Sequence, residues 1–299
     1  MITPTTTDTG RILDIITAGD AERLARVALA LSTEPGEVDT RRLDADSATT
    51  VVHSTLGQGR STLTADRLNE ALAATKRLGF HVLIPGDEHW PVCLADLGPA
   101  QPLALWAHGR TALLAESLTD RVAVTGSRAA SHYGQHTAHD ISYELAQHGH
   151  ALVTGGSYGV DAAAHRAALL ASAATVAVLP TGLDRPYPQG NADLLADIAA
   201  TGVLLSESPP GTPPSRTRFV QRCRIIAALA GTTVIIEAAE RSGALVTAHR
   251  AIGLFRVVAA VPGPVTSATS VGCHRLIQDG ETHLVTGADD VVALISGCG

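Results

Sequence analysis

The sequence predicts an α/β protein in which a doubly wound, mostly parallel sheet is preceded by a small helical domain. Short β-branched runs alternate with amphipathic, Ala-rich stretches over most of the 299 residues, which is the order expected of a parallel sheet. Such runs are missing from about the first quarter of the chain. The composition, 45% hydrophobic and 17% charged, indicates a well-buried core, and its apolar residues, mostly Ala, Val, Leu and Ile, suit parallel strands covered by helices.

The N-terminal region is predicted to be helical, because apolar residues recur there at the spacing of one helix face: Leu24, Val27, Ala28 and Leu31. Pro35-Gly36 then marks a turn. Near Leu78 the pattern changes to alternating strands and helices. We therefore expect a small helical domain over residues 1–78 and a larger α/β domain over residues 79–299.

Six short apolar runs in the second region are predicted as strands, and helical patterns separate them. They are Val122–Thr125, Ala151–Thr154, Thr175–Leu179, Val203–Ser206, Thr233–Glu237 and Val257–Val261. In a doubly wound sheet the loops that leave the carboxyl ends of the strands converge on one edge. Their residues are therefore considered together as one candidate site.

Composition limits the classes of function. The formal net charge is −7, so the chain as a whole does not attract phosphate, and any nucleic-acid site has to be local. The four cysteines are far apart and form no C-x-x-C pair, which favours a reducing cytoplasm. No leader pattern or long apolar stretch stands out, so we expect a cytoplasmic protein without membrane contact.

Three loops at the predicted edge have the residues of an anion site. Gly126-Ser127-Arg128 offers amides, a hydroxyl and a guanidinium. The glycine-rich Thr154–Gly159 lets the backbone approach a ligand and directs a helix N-terminus at it. Arg241–Ala244 repeats the strand, small-residue, helix order.

The segment Arg216–Arg224 carries four arginines in nine residues of this acidic chain. Arginine binds phosphate through two parallel hydrogen bonds, and Phe219 offers a face on which a base can stack. The candidate binding residues are Gly126, Ser127, Arg128, Gly155, Gly156, Ser157, Tyr158, Arg218, Phe219, Arg222, Arg224, Ser242 and Gly243. No catalytic residue, metal or cofactor is expected.

Each of these features also has a purely structural interpretation. Glycine turns follow strands for packing alone, and an arginine run is commonly a solvated helix face. Asp161 and His165 are spaced to form an acid–base pair, but we expect a first-turn helix-dipole partner and a polar neighbour with satisfied hydrogen bonds instead. Glu237 is a candidate base, although a carboxylate beside arginines more often orients them.

Six motifs, in order, resemble the DprA/Smf DNA-processing proteins: VAVTGSRAASHYG, LVTGGSYGVDAAAH, VAVLPTGLDRPYPQGN, LLSESPPGTPPSRTRFVQRCRII, VIIEAAERSGALVTA and AVPGPVTSATSVGCHRLI. The resemblance covers roughly residues 80–297 and implies an extended Rossmann-like fold. It also implies a homodimeric cytoplasmic protein that binds single-stranded DNA and assists a RecA-type recombinase in DNA uptake and recombination, without catalysis.

The phosphate pocket of that family corresponds to members of the set of candidate binding residues. They are Gly126, Ser127, Arg128, Gly155, Gly156, Arg222 and Arg224. Two departures stand out: Cys223 replaces the asparagine between two arginines, and Tyr158 replaces a basic residue. The resemblance therefore implies a single-strand site whose affinity and salt dependence differ from those of the family.

Two other functions fit the same fold. One is a nucleotide phosphoribohydrolase resembling the LOG-type enzymes, whose glycine-rich loop ends in a glutamate. The nearest equivalent here, Ser242–Arg250, ends in arginine, so Glu237 would have to supply the acid. The other is a sensor whose pocket binds a free nucleotide and whose helical domain signals to a partner.

Overall fold

The N-terminal region of the computed structural model is helical, as predicted. The structure describes residues 6–40, 43, 47–57 and 63–297, and the other positions of the predicted domain 1–78 lie outside the described residues. The helices are α1 (Thr6–Thr17), α2 (Ala21–Ser32), α3 (Ala48–Gly57) and α4 (Ala65–Arg77). The side chains of Asp20 and Thr64 accept backbone N–H groups at the first turns of α2 and α4, which stabilises both helix ends.

A single sheet forms the centre of the second region. Its nine described strands are β1 (His81–Leu83), β2 (Leu105–Gly109), β3 (Arg121–Thr125), β4 (Ala151–Gly155), β5 (Thr175–Leu179), β6 (Val203–Ser206), β7 (Thr232–Ile235), β8 (Val257–Ala260) and β9 (His283–Leu284). Their spatial order is β1-β2-β6-β5-β4-β3-β7-β8-β9. The strands from β6 to β9 run parallel, whereas β1 and β2 pair antiparallel.

The predicted doubly wound sheet is therefore confirmed. The chain order reverses at β3, which lies between β4 and β7. Such a reversal opens a crevice at the carboxyl ends of the strands on either side. All six predicted strands are present, two with the predicted bounds and four with ends shifted by one or two residues.

Three of the described strands were not predicted from the sequence. The first and the last have only three and two residues, too few to show a period of two. The second, β2, ends in His108 and Gly109, which cut its apolar run short. It pairs antiparallel with β6 through Trp106–Ser206 to Gly109–Val203, a contact that is distant in sequence.

Helices cover both faces of the sheet. They are α5 (His132–Gln147), α6 (Val160–Leu170), α7 (Ala192–Thr201), α8 (Arg216–Leu229), α9 (Gly243–Gly253), α10 (Val271–Gln278) and α11 (Ala288–Ser296). Strands β3 to β6 are buried at every residue, which fits a parallel sheet covered on both sides. None of the helices described is long and apolar enough to span a membrane.

The helical region packs against the sheet. One buried cluster joins its apolar residues to those of β5, α7 and β6. Arg23 also donates to both carboxylate oxygens of Asp87 at 2.7 and 2.8 Å, and this guanidinium lowers the pKa of the Asp87 carboxyl. The division at residue 78 stays a prediction; α4 ends at Arg77 and β1 begins at His81.

Candidate functional site

The three predicted loops meet at the carboxyl ends of β3, β4 and β7, beside the reversal in strand order. Gly126 packs so tightly that a Cβ there would lie 2.8 Å from the Glu237 carbonyl oxygen. Gly159 has a φ of +74°, and a Cβ there would lie 2.3 Å from the carbonyl oxygen of Ser127. These positions require glycine because neighbouring backbones approach each other there.

Arg222 lies against the glycine-rich loop after β4. A Cβ at Gly155 would lie 2.0 Å from Arg222 Nη1, so the absence of a side chain makes room for the guanidinium. The Nη1 atom donates to the Val178 carbonyl at 3.4 Å, and the Nε atom has no partner among the described residues. This arginine is only 8% exposed and retains donors for an anion.

Two arginines lie close to the ring of Phe219. The guanidinium carbon of Arg128 lies 4.2 Å from the centroid of the Phe219 ring, and that of Arg222 lies 5.8 Å from it. Tyr187 meets the same ring edge-on at 5.5 Å. Two cations and two aromatic rings are thus brought together beside the glycine loop, where phosphate binding and base stacking are both feasible.

Asp161 connects the first two loops. Its carboxylate accepts from Thr125 Oγ1 at 2.8 Å and from the Ser157 backbone N–H at 3.3 Å. The residue lies in the first turn of α6 and is 2% exposed. Its negative charge at a helix N-terminus is favourable, and its hydrogen bonds fix the loops after β3 and β4 relative to each other.

His165 contacts the end of β4, where the glycine-rich loop begins. Its Nε2 lies 3.0 Å from the Gly155 carbonyl oxygen, which can only accept, and its Nδ1 lies 2.7 Å from Thr175 Oγ1. Burial lowers the pKa of His165 to about 4, so the imidazole is neutral near pH 7. Asp161 and His165 have separate partners, which agrees with the expected polar neighbours rather than an acid–base pair.

Two residues of the loop after β5 complete the site and were missed in the sequence. Asn191 Nδ2 donates to the Gly156 carbonyl at 2.9 Å, and Tyr187 contacts Phe219. Tyr158, which is 48% exposed, extends towards Gly190 of this loop. The polar segment that follows β5 could have identified these residues, because the loops at the carboxyl ends of neighbouring strands converge.

The remaining predicted arginines lie elsewhere. Arg224 is 1% exposed and donates to both oxygens of Glu207, at 2.8 and 2.6 Å. Arg218 donates to the Pro213 carbonyl and to Glu34 Oε1, at 2.6 and 2.5 Å. The structure therefore brings Arg128 and Arg222 together but not Arg224, which is a buried structural residue, while Arg218 bridges to the helical region.

The third loop opens helix α9. Ser242 accepts from the Ala244 backbone N–H at 3.2 Å, so its hydroxyl caps that helix. Gly243 is exposed, and its carbonyl lies 3.8 Å from Cys223 Sγ. Cys223 also lies 3.3 Å from the Phe219 carbonyl. The cysteine thus fills the junction between α8 and α9 and is buried away from solvent.

Within the described ranges Glu237 forms no hydrogen bond or ion pair with an arginine, so the orienting role considered for it is not seen. Its carboxylate accepts from the Ser131 hydroxyl at 2.6 Å, the Ser131 backbone N–H at 2.9 Å and Thr269 Oγ1 at 3.0 Å. With 2% exposure it fixes the start of α5 to the loop after β8. In the part of the chain that the structure describes, no group of three or more His, Cys, Asp or Glu could hold a metal ion.

Comparisons with known proteins agree with the resemblance in sequence. A family model for DNA recombination-mediator protein A matches residues 81–296. A DNA processing protein DprA of Mycobacterium tuberculosis is 48% identical over 244 residues, or 78% of this chain and 62% of that protein. This chain thus spans less than two thirds of that relative. The DNA processing protein DprA of Streptococcus pneumoniae is 40% identical over 69% of this chain and 71% of its own.

Two solved structures resemble the whole fold or most of it. The crystal structure of DNA processing protein A from Streptococcus pneumoniae superposes with a TM-score of 0.74 at 29% identity and covers 98% of both chains. A Helicobacter pylori structure, described as giving insights into the single-stranded DNA binding mode of DNA processing protein A, has a TM-score of 0.64. It is 26% identical and covers 73% of this chain and 96% of its own.

Proposed function

The chain belongs to the family of DNA recombination-mediator protein A, and we propose that it binds single-stranded DNA at the carboxyl edge of its sheet without breaking a covalent bond. The observation that carries this proposal is the arrangement of Arg128 and Arg222 about the Phe219 ring, beside Gly155. Guanidinium groups bind phosphate, and the aromatic ring provides a stacking surface that accepts any base. The described single-strand binding of the Helicobacter pylori relative supports the same ligand class.

The local charge at this edge explains how a chain of net charge −7 can bind a polyanion. Arg222 has no carboxylate partner among the described residues, in contrast to Arg224, which is neutralised by Glu207. A low-dielectric pocket strengthens the attraction between an unpaired guanidinium and a phosphate. Binding then depends on a few focused contacts, so we expect a shallow dependence on salt.

We further propose the biological context that the family implies. A protein that holds a single strand at this edge would assist loading of a RecA-type recombinase in the cytoplasm, and would act as a homodimer. Cleavage of nucleotides is not part of the proposal, because Glu237, the acid that a phosphoribohydrolase would need, is buried and bound to Ser131 and Thr269.

The test is a binding titration with a labelled single strand, in which unlabelled single strand, duplex and nucleoside monophosphate compete. Single strand should displace the probe at the lowest concentration, because duplex bases cannot reach the Phe219 ring. Displacement by the monophosphate at similar concentrations would instead support the nucleotide-sensing function. Release of free base from the monophosphate at high protein concentration would contradict the non-catalytic proposal.

A further inference from the structure

The sheet edge continues beyond the site described so far. Arg222 contacts Gly155 of β4 and the Val178 carbonyl of β5. The loops that follow β7 and β8 start at the same edge, on the other side of β3. Three of the four tyrosines of the chain occur along this edge, at positions 133, 158 and 187, and each is at least 40% exposed. The fourth, Tyr143, stacks on His139 along helix α5.

Tyr133 is the aromatic residue at the far end of the edge. It lies in the first turn of α5, and its hydroxyl donates to the Pro262 carbonyl, just after β8, at 2.9 Å. A Cβ at Gly263 would lie 3.9 Å from a ring carbon of Tyr133. The polar end of the side chain is thus satisfied, while 44% of the residue stays exposed, which leaves ring surface that a base could cover.

Arg241 supplies a cation on the same side. It is exposed in the loop after β7 and forms no ion pair or side-chain hydrogen bond within the described ranges. The neighbouring Glu240 is paired with Arg275 at 2.6 Å, so its negative charge is offset. A guanidinium without a partner among the described residues and an exposed ring therefore lie at the same edge of the sheet, the first in the loop after β7 and the second against the loop after β8.

We propose that Arg241 and Tyr133 form a second half-site, which takes a phosphate and a base of the same single strand several nucleotides away from Phe219. This inference rests on the proposed function. Three strand spacings, each about 4.8 Å, separate the centres of the two half-sites, or roughly 14 Å. At about 3.4 Å per stacked nucleotide that distance corresponds to about four nucleotides.

The second half-site predicts that the affinity for single-stranded DNA depends on the length of the DNA strand. A three-nucleotide strand reaches only the first half-site, which Phe219, Arg128 and Arg222 form, whereas a twelve-nucleotide strand reaches both half-sites. Replacing Tyr133→Leu should weaken the twelve-nucleotide strand about five- to tenfold, the lower part of what one stacked base contributes, and leave the three-nucleotide strand unchanged. The conservative variant Tyr133→Phe keeps the ring but not the hydroxyl, and should bind both lengths as the unchanged protein does.

The experiment is competition of oligothymidylates of 3, 6 and 12 nucleotides against a labelled twelve-nucleotide strand, with the full chain. Tyr143→Leu is the matched control, since it alters a tyrosine ten residues along the same helix. Arg241→Ala should reduce the salt slope for the twelve-nucleotide strand by about 0.7 and leave the slope for the three-nucleotide strand as it is.

Two results would overturn the half-site. One is equal weakening by Tyr133→Leu and Tyr133→Phe, which would indicate that only the hydrogen bond to Pro262 matters. The other is a length dependence that is the same with and without the Tyr133 ring. Failure of the unchanged protein to bind the twelve-nucleotide strand at all is a different result, because it would remove the proposed function itself.

Discussion

The two faces of helix α8 use the same residue type for opposite purposes. Arg222 and Arg224 are two positions apart, and at 3.6 residues per turn they point about 200° away from each other. Arg222 faces Gly155 and Phe219 and has no acidic partner in the part of the chain that the structure describes, whereas Arg224 faces Glu207 and the Ala100 carbonyl. The difference teaches that an arginine run does not act as one patch: its helical register separates a ligand-facing cation from a structural one.

The largest effect expected from this comparison is on stability. Replacing Arg224→Ala leaves the Glu207 carboxylate buried and unpaired, so the free energy of unfolding should fall by about 3–5 kcal/mol. Arg222→Ala removes a buried charge that has no carboxylate partner among the described positions, and it should change the free energy of unfolding by less than about 1 kcal/mol. Urea denaturation followed by circular dichroism measures both. Equal destabilisation by the two variants would break the distinction between the faces.

On the side of the glycine-rich loop, the free energy of unfolding should also depend on pH through His165. The pKa of His165 is lowered to about 4 in the folded protein, against about 6.5 when unfolded. The unfolded chain therefore binds an extra proton between these values, and this histidine should cost about 3 kcal/mol of stability as the pH falls from 6.5 to 4. Above pH 6.5 it should have no effect.

The check for His165 is a pair of denaturation series at pH 7, 6, 5 and 4. His165→Gln can retain a donor for the Gly155 carbonyl but cannot titrate, so its stability should fall less steeply over that range. Other titrating groups, Asp87 among them, are common to both proteins and cancel in the difference. Parallel pH curves for the two proteins would show that the imidazole is not held neutral by burial.

A smaller effect is expected at Phe219, on the ligand-facing side of α8. Phe219→Leu keeps an apolar side chain but removes the ring that lies close to Arg128 and Arg222. The affinity for a single strand should fall about five- to thirtyfold, or 1–2 kcal/mol. The adjacent Val220 is 41% exposed, and Val220→Leu serves as the control. Similar losses in both variants would assign the effect to the helix rather than to the ring.

The smallest effect concerns Arg218, which Glu34 neutralises at the edge of a cleft of about 680 Å³ between the helical region and the sheet. Glu34→Gln removes the negative charge and leaves Arg218 available to a phosphate. The affinity for a single strand should rise two- to threefold, about 0.5 kcal/mol. Glu70→Gln removes a charge from the same cleft without freeing a paired arginine, so it should change the affinity less.

Much of the fold could be predicted because its signals are local. The buried runs that became β3 to β8 are four or five residues long and alternate with amphipathic helices, and this order leads to a doubly wound sheet. The loops Gly126–Arg128 and Gly155–Gly159 were also identified, since glycine after a strand marks close backbone approach. Short edge strands were missed because two or three residues carry no periodicity.

The roles of individual arginines could not be predicted in the same way. The partner of Arg224 is Glu207, which is 17 positions earlier, and that of Arg218 is Glu34, 184 positions earlier. Tertiary packing brings these carboxylates close to the arginines, and no pattern within residues 216–224 indicates which arginine has such a partner. The register of α8 was available from the sequence, however, and would have placed Arg222 and Arg224 on different faces.

The most direct measurement is the salt dependence of single-strand binding in Arg222→Ala and Arg128→Ala, with Arg166→Ala, an exposed arginine on α6, as the control. Each phosphate contact contributes about 0.7 to the slope of log affinity against log salt. The account predicts that the first two variants are folded, bind more weakly and each lose about 0.7 of slope, while the control is unchanged. Undiminished affinity and slope in Arg222→Ala would contradict the assignment of the site to this face of α8.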